Sequence, residues 1–431
     1  KYFYRKMINI GIIVPLISIG FIGIFNRIYL NSWFTPASFF SMLWFLLLSI
    51  TLIVAPEFPV YPLGVWYILG ISMALTLGSL LVPKHILPDS EKYNTIESIK
   101  LFFFSRSNLI LIVITIFCLI SIVGIITLLL FGVKRYELNI NIFSIISLPQ
   151  QLYDDRDAGI LLVPWYIRFL TYFIMPSSLL SGILIPLEKY PRKIICYIPI
   201  ILAILIGMVY TTRATILFSI ILFISGLFSS YIILKKDDRI FSGIKSLFSF
   251  GLLFLFLLLS WILLQWLRGG GDSEFIFYPI INTIKSAVLG STTAFTTWLQ
   301  NYKQHNMAFG LYTFAGPMDI IGLNERQLGF YSEFISLPNG YSNIYTAFRG
   351  LIHDFSITGS ILICFFIGIF AQLSYQRCRD GNVIWLIPLS LFFAFTLFSP
   401  FISIFSSNSV TMAWVISFFM LINKKQNSID Y

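Results

Sequence analysis

Three short stretches of this 431-residue chain combine side chains able to grip an anion or move a proton. The first is Tyr210-Thr211-Thr212-Arg213, a polar turn between two apolar runs. The helix dipole disfavours a cation at a helix start. Arg213 therefore reads either as an anion ligand or as an arginine snorkelling to a polar surface. The second is Arg268-Gly269-Gly270-Gly271-Asp272, which follows another apolar run. Three glycines free the backbone for left-handed conformations, so successive N–H groups can curl into a phosphate nest beside the guanidinium. The plainer reading is a flexible exit loop. The third is Pro338 to Phe355. Its Pro-Asn-Gly turn precedes Ser342 and Asn343, both suited to capping a helix. If 344–355 is helical, Tyr345, Arg349 and His353 recur at i, i+4 and share a face. Asp354 then lies about 140° around the helix from Arg349, so the two do not make the usual ion pair. The bland alternative is a polar helix end anchored at an interface.

Asp272, Glu274, His305, Asp319, Glu325, Arg326 and Glu333 are further ionisable groups between 268 and 356. Their carboxylates and His305 could serve as a general base or accept hydrogen bonds from sugar hydroxyls, Arg326 could only donate to a sugar, and spacing does not choose among them. No Asp-x-Asp or His-x-x-x-His pattern calls for a metal, and no cofactor is indicated. Cys118, Cys196, Cys364 and Cys378 show neither CxxC spacing nor a neighbouring histidine, so neither a disulfide frame nor a zinc site is expected.

The elements that must hold these residues follow from composition. Hydrophobic residues make up 57% of the chain and charged residues 11%, with mean hydropathy +0.86. So little charge cannot cover a water-facing surface, which excludes a soluble globular enzyme, a disordered chain and a nucleic-acid-binding module. A polytopic membrane protein remains. Apolar runs predict eleven spans, at 7–25, 38–54, 61–82, 108–130, 163–187, 194–210, 214–234, 247–267, 357–375, 383–398 and 408–422. The run after Lys1, Arg5 and Lys6 imitates a signal peptide, but no small-residue cleavage site follows Phe25, so it is expected to stay as a span.

The formal charge is +10. Basic loops follow the third, fifth, seventh, ninth and last spans, all on one face, which the positive-inside rule makes cytoplasmic. The N-terminal Lys1, Arg5 and Lys6 then fall on the other side, against the rule. Two long segments, 131–162 and 268–356, then lie outside. The first carries the cluster Asp154, Asp155, Arg156, Asp157. The second has amphipathic stretches at 278–300 and 309–323, suited to short helices at a membrane surface. The expected organisation is an N-terminal bundle over 1–267, a large loop over 268–356 and C-terminal helices over 357–431. No internal or inverted repeat is visible, which counts against a secondary transporter.

Four stretches carry a family resemblance. They are Phe39 to Leu80, with Trp44, Pro59, Pro62 and Gly78; Thr212-Arg213-Ala214; Gly290 to Phe295 with Gly310 to Phe314; and Asn343 to Thr346 through Arg349, Asp354-Phe355 and Gly359. Together they resemble the Wzy-type O-antigen polymerases, or oligosaccharide repeat unit polymerases, of bacterial inner membranes. The chain departs from that pattern at Ser356, where glycine is usual, and at Gly350, where proline is frequent. The resemblance implies an all-α, GT-C-like protein of about 11–12 transmembrane helices with a long periplasmic loop. It implies a metal-independent inverting glycosyltransferase that joins undecaprenyl-diphosphate-linked repeat units at the periplasmic face and releases undecaprenyl diphosphate. A chain-length-determinant co-polymerase is a further partner, beside the bilayer; nucleic acid is not.

Within that frame a departing diphosphate needs positive charge, and arginine can supply it in bidentate fashion. Arg213, Arg268 and Arg349 are the candidates. Tyr345, Glu333 and Asp272 are candidate sugar or phosphate ligands. His353 or Asp354 is the expected general base, with Glu333 and Asp272 behind them. The rival readings are an O-antigen ligase and a flippase for lipid-linked sugar.

Overall fold

The computed structural model describes residues 10–83, 89–139, 141–189, 191–235, 244–268, 282, 285–286, 288–303, 306–323, 331–338 and 340–422. The protein is all-α and polytopic. Among the described residues, eight helices are long and apolar enough to cross a bilayer, and two shorter apolar helices, Val383–Phe398 and Asn408–Leu421, follow. A small antiparallel hairpin, β1 (Ile335–Leu337) and β2 (Gly340–Ser342), pairs Ser336 with Tyr341. Asp272, Glu274, His305, Glu325 and Arg326 lie outside the described residues.

The chain forms two compact units, each built from separate stretches of the sequence. One comprises Lys1–Ile86, Ile281–Arg377 and Phe392–Asn408; the other comprises Leu87–Ile280, Cys378–Leu391 and Ser409–Tyr431.

In the first unit, α1 (Ile10–Leu30), α2 (Pro36–Val54) and α3 (Pro62–Leu81) pack on one another, and α11 (Gly290–Gln300) packs on α3. Pro36 and Pro62 stand at helix starts, where the missing N–H costs nothing. α13 (Ala347–Arg379) passes so close to α3 that a Cβ on Gly78 would overlap the carbonyl oxygen of Phe365. Small residues of this kind let backbones approach where the hydrophobic effect offers no drive between helices in lipid.

The second unit contains α4 (Asp89–Arg135), α5 (Ile142–Asp157), α6 (Trp165–Tyr172), α7 (Ile174–Leu184), α8 (Ile198–Val209), α9 (Arg213–Ile233) and α10 (Ile244–Arg268). α7 and α9 form its closest pair, with Ser178 and Ser219 hydrogen-bonded at 2.6 Å between them.

Several boundaries differ from the hydropathy reading. α4 begins at Asp89, inside the expected basic loop, because no glycine or proline interrupts 89–123. α5 makes half of the expected 131–162 loop helical. In the stretch 309–323, helix is confined to α12 (Ala315–Ile320), with Gly310 and Gly322 at positive φ on either side. α13 joins the expected 344–355 helix to the ninth span. It starts at Ala347, so Tyr345 lies just before it, and it kinks at Ser356 (φ 63°, ψ 174°).

Candidate functional site

Two clusters collect the candidate residues, one in each unit. In the second unit, α8 ends at Val209 and α9 begins at Arg213. The turn between them is tight enough to hold Thr211 at φ 51°. A β-branched residue there stores strain on the order of 1–3 kcal/mol. The conformation is held by bonds from Thr211 N to Met208 O (3.2 Å) and from Thr212 N to Gly207 O (2.9 Å).

Arginines from two other helices bind this turn. Arg156, on α5, donates to the carbonyls of Tyr210 and Thr211 and to Thr211 Oγ1 (3.3 Å). Arg268, the last residue of α10, donates to Thr211 O. The ring of Tyr153, one turn before Arg156, lies under both guanidiniums, at 5.4 Å from Arg156 and 4.8 Å from Arg268. Arg213 donates to Gln265 Oε1 at 2.7 Å and lies 4.6 Å from the ring of Trp261, both on α10.

Like charges face one another in this cluster. Arg268 repels Arg213, and Arg156 repels Arg268. Burial lowers the Arg156 guanidinium below the ordinary arginine range, against the pull of Tyr153 and Asp157. Among the described residues no carboxylate forms an ion pair with any of the three. The Nε atoms of Arg213 and Arg268 are buried without a hydrogen-bond partner. Neutral carbonyls and ring faces orient three like charges here without neutralising them, which suits an incoming anion. The neighbouring Asp155 is used elsewhere, by Arg135 (2.7 Å) and Tyr136 (2.9 Å).

In the first unit the site is built on the start of α13. Ala347 N donates to Ser399 O at 2.8 Å, and the fully buried Phe348 packs among Trp44, Tyr67 and Phe295. The next residue, Arg349, is only 3% exposed. Its guanidinium carbon lies 3.9 Å from the ring centre of Tyr331, 4.0 Å from Tyr345 and 5.0 Å from Trp298. Nη2 meets Glu333 at 2.8 Å, while Nε and Nη1 are buried without a hydrogen-bond partner. Tyr345 donates to Glu333 O at 3.2 Å. Burial pushes the Tyr331 and Tyr345 phenols up from their ordinary range, against Arg349, so both stay protonated donors.

One turn on, the ring of His353 stacks on Tyr312 (4.9 Å) and packs against Trp298 (5.1 Å). Asp354 is fully buried and faces the other way. Its carboxylate accepts the N–H groups of Tyr312 (3.1 Å) and Thr313 (2.6 Å), and its carbonyl accepts Phe309 N (3.1 Å). Asp354 thereby fixes the 309–313 loop that carries Tyr312 against His353. It makes no ion pair with Arg349.

Of the sequence candidates, Arg213 and Arg268 come together in one unit, and Arg349, Tyr345, Glu333 and His353 in the other. Asp272 lies outside the described residues. The sequence reading missed Arg156, Tyr153, Trp298, Tyr331 and Tyr312. Arg156 was masked by its three acidic neighbours. The aromatic residues were masked by an abundance of 44 phenylalanines and 22 tyrosines, against which no single ring stands out.

The fold and these clusters define a multi-pass α-helical membrane protein with three arginines gathered at one helix turn, none ion-paired among the described residues, and a caged arginine at another helix start. No protein-family model, no curated protein and no solved structure matches the chain.

Proposed function

We propose that this protein is an oligosaccharide repeat-unit polymerase of the O-antigen type, acting in the bacterial inner membrane at its periplasmic face. The observation that carries the reading is the convergence of Arg156, Arg213 and Arg268 on the 210–213 turn, with no carboxylate ion-paired to them among the described residues. That arrangement supports an anionic ligand, and the sequence resemblance supports a lipid-linked diphosphate as that anion.

On this reading a hydroxyl of the acceptor glycan attacks the anomeric carbon of the donor glycan. A new C–O bond forms as the bond to the diphosphate breaks with inversion. The electron pair leaves on undecaprenyl diphosphate, whose developing charge calls for cationic donors. The hydroxyl proton passes to a general base. His353 is the base on this reading, because both Asp354 oxygens are already held by backbone N–H groups. Asp354 acts as a positioning residue. Tyr345 and Glu333 hold Arg349 in its cage and supply hydrogen bonds to sugar.

Chain lengthening tests the reading. Purified protein in detergent, given undecaprenyl-diphosphate-linked repeat units, extends them and releases undecaprenyl diphosphate. Translocation of the same lipid across vesicles without extension would favour the flippase reading. Transfer only to a lipid A-core acceptor would favour the ligase.

A further inference from the structure

The second unit also carries a groove of about 500 Å³ between the start of the α4 span and the 192–197 turn of 3₁₀ helix. Its wall is Leu111, Ile112, Thr115 and Ile116 with Ile195, and its polar end is Asn108 and Arg192. The α4 residues recur at i, i+3, i+4, i+7 and i+8, so the groove follows one helix face for about 12 Å. Arg192 is exposed and donates from Nη1 to Asn108 Oδ1 at 2.8 Å. The apolar wall is itself open: Ile112 is 56% and Ile116 47% exposed.

The position of this groove limits what it can hold. The membrane-crossing stretches begin at Ser105 and at Arg192, so Asn108 and Arg192 sit at the boundary between polar and apolar surroundings. The same crossing runs from Arg192 to Val209, 18 residues, about 27 Å as helix, and ends at the 210–213 arginine turn. The groove thus opens at the membrane face opposite that cluster. Lys189 and Lys193 flank Arg192 in the sequence, so this face is basic. Thr115 is the one small residue of the wall, and its hydroxyl turns back onto Leu111 O at 2.8 Å, so the paired small residues of close helix–helix contact are not present in this lining.

We infer that this groove is a binding site for an anionic glycerophospholipid of the surrounding leaflet, with the phosphate on Arg192 and an acyl chain along Leu111, Ile112 and Ile116. Asn108 holds the guanidinium at the depth of the lipid phosphate. This site is separate from the diphosphate cluster and does not depend on its function.

Native mass spectrometry of the full chain, released from detergent with phosphatidylglycerol or phosphatidylcholine, tests it. The intact protein retains phosphatidylglycerol in preference to phosphatidylcholine. Loss of a charged hydrogen bond in Arg192→Gln lowers phosphatidylglycerol retention about tenfold and removes its advantage over phosphatidylcholine. Ile112→Trp, which fills the groove but keeps the charge, lowers it as well. Equal retention of the two lipids, an undiminished preference in both variants, or displacement of phosphatidylglycerol by undecaprenyl phosphate at equal concentration would each overturn the assignment.

Discussion

Arg268 donates to the carbonyl oxygen of Thr211, a residue held at φ 51°, and the same carbonyl accepts Arg156. A single strained peptide therefore orients guanidiniums that lie 112 positions apart in the sequence. The local strain and the mutual repulsion of the arginines both oppose stability, and both are characteristic of a place shaped for a ligand.

The cage of Arg349 requires a planar cation. Three ring faces surround it, and lysine presents a compact point charge without the flat fork. Arg349→Lys is expected to reduce chain lengthening at least tenfold, since a desolvated cation–π set of this kind contributes about 2 kcal/mol or more. Rates of extension at matched protein levels measure this; a rate within twofold of the parent would remove Arg349 from the site.

His353 and Asp354 are neighbours with separable tasks. Asp354→Asn sets an amide NH₂ against the backbone N–H groups of Tyr312 or Thr313, leaving buried donors unsatisfied at a cost of about 1–3 kcal/mol. Thermal unfolding in detergent should show that loss together with lowered activity. His353→Gln should keep the melting temperature and lose extension. Equal melting temperatures for the two variants would contradict the division.

Ser356 occupies a backbone conformation, φ 63° and ψ 174°, that is open mainly to glycine. Its Oγ offsets part of the strain by accepting Gly359 N at 3.3 Å. Exchanging serine for glycine at a helix cap costs only a few tenths of a kcal/mol. Ser356→Gly is therefore expected to stabilise the protein by about 1 kcal/mol with activity retained. The resemblance expects glycine here, and the kink gives the reason. A fall in melting temperature would show that the serine bond outweighs the strain.

The sequence made some of this visible and hid the rest. Spans could be read because apolar length is a local property, and the positions of Arg213 and Arg268 at their ends followed directly. The i, i+4 relation of Arg349 and His353 survives, although the helix begins after Tyr345. Arg156 could not be read, because pairing within Asp154-Asp155-Arg156-Asp157 looks self-sufficient until Asp155 is seen to turn toward Arg135. The backbone amides that occupy Asp354 belong to a loop 41 and 42 residues away, and no spacing rule reaches that far.

Asp155 also sets a pH dependence. Burial raises its carboxyl, but bonds from Tyr136 and Arg135 outweigh this and leave it below the ordinary value of 3.8. A carboxyl lowered on folding adds stability that is complete above its unfolded pKa and fades as pH falls through the folded value. The parent should therefore melt above Asp155→Asn at pH 7, and the gap should close as pH drops below about 3.8. Because Asp155 and Arg156 share α5, the variant should also bind anions less well. A gap that is constant with pH would mean that the pair contributes nothing to folding.

The most direct test is equilibrium binding of undecaprenyl diphosphate to the purified protein, comparing the parent with Arg156→Gln, Arg213→Gln and Arg268→Gln. Each substitution removes a charged hydrogen-bond donor and relieves repulsion. Affinity should fall about tenfold or more in each while melting temperature holds or rises. Parental affinity in all three variants would contradict a diphosphate site at the 210–213 turn.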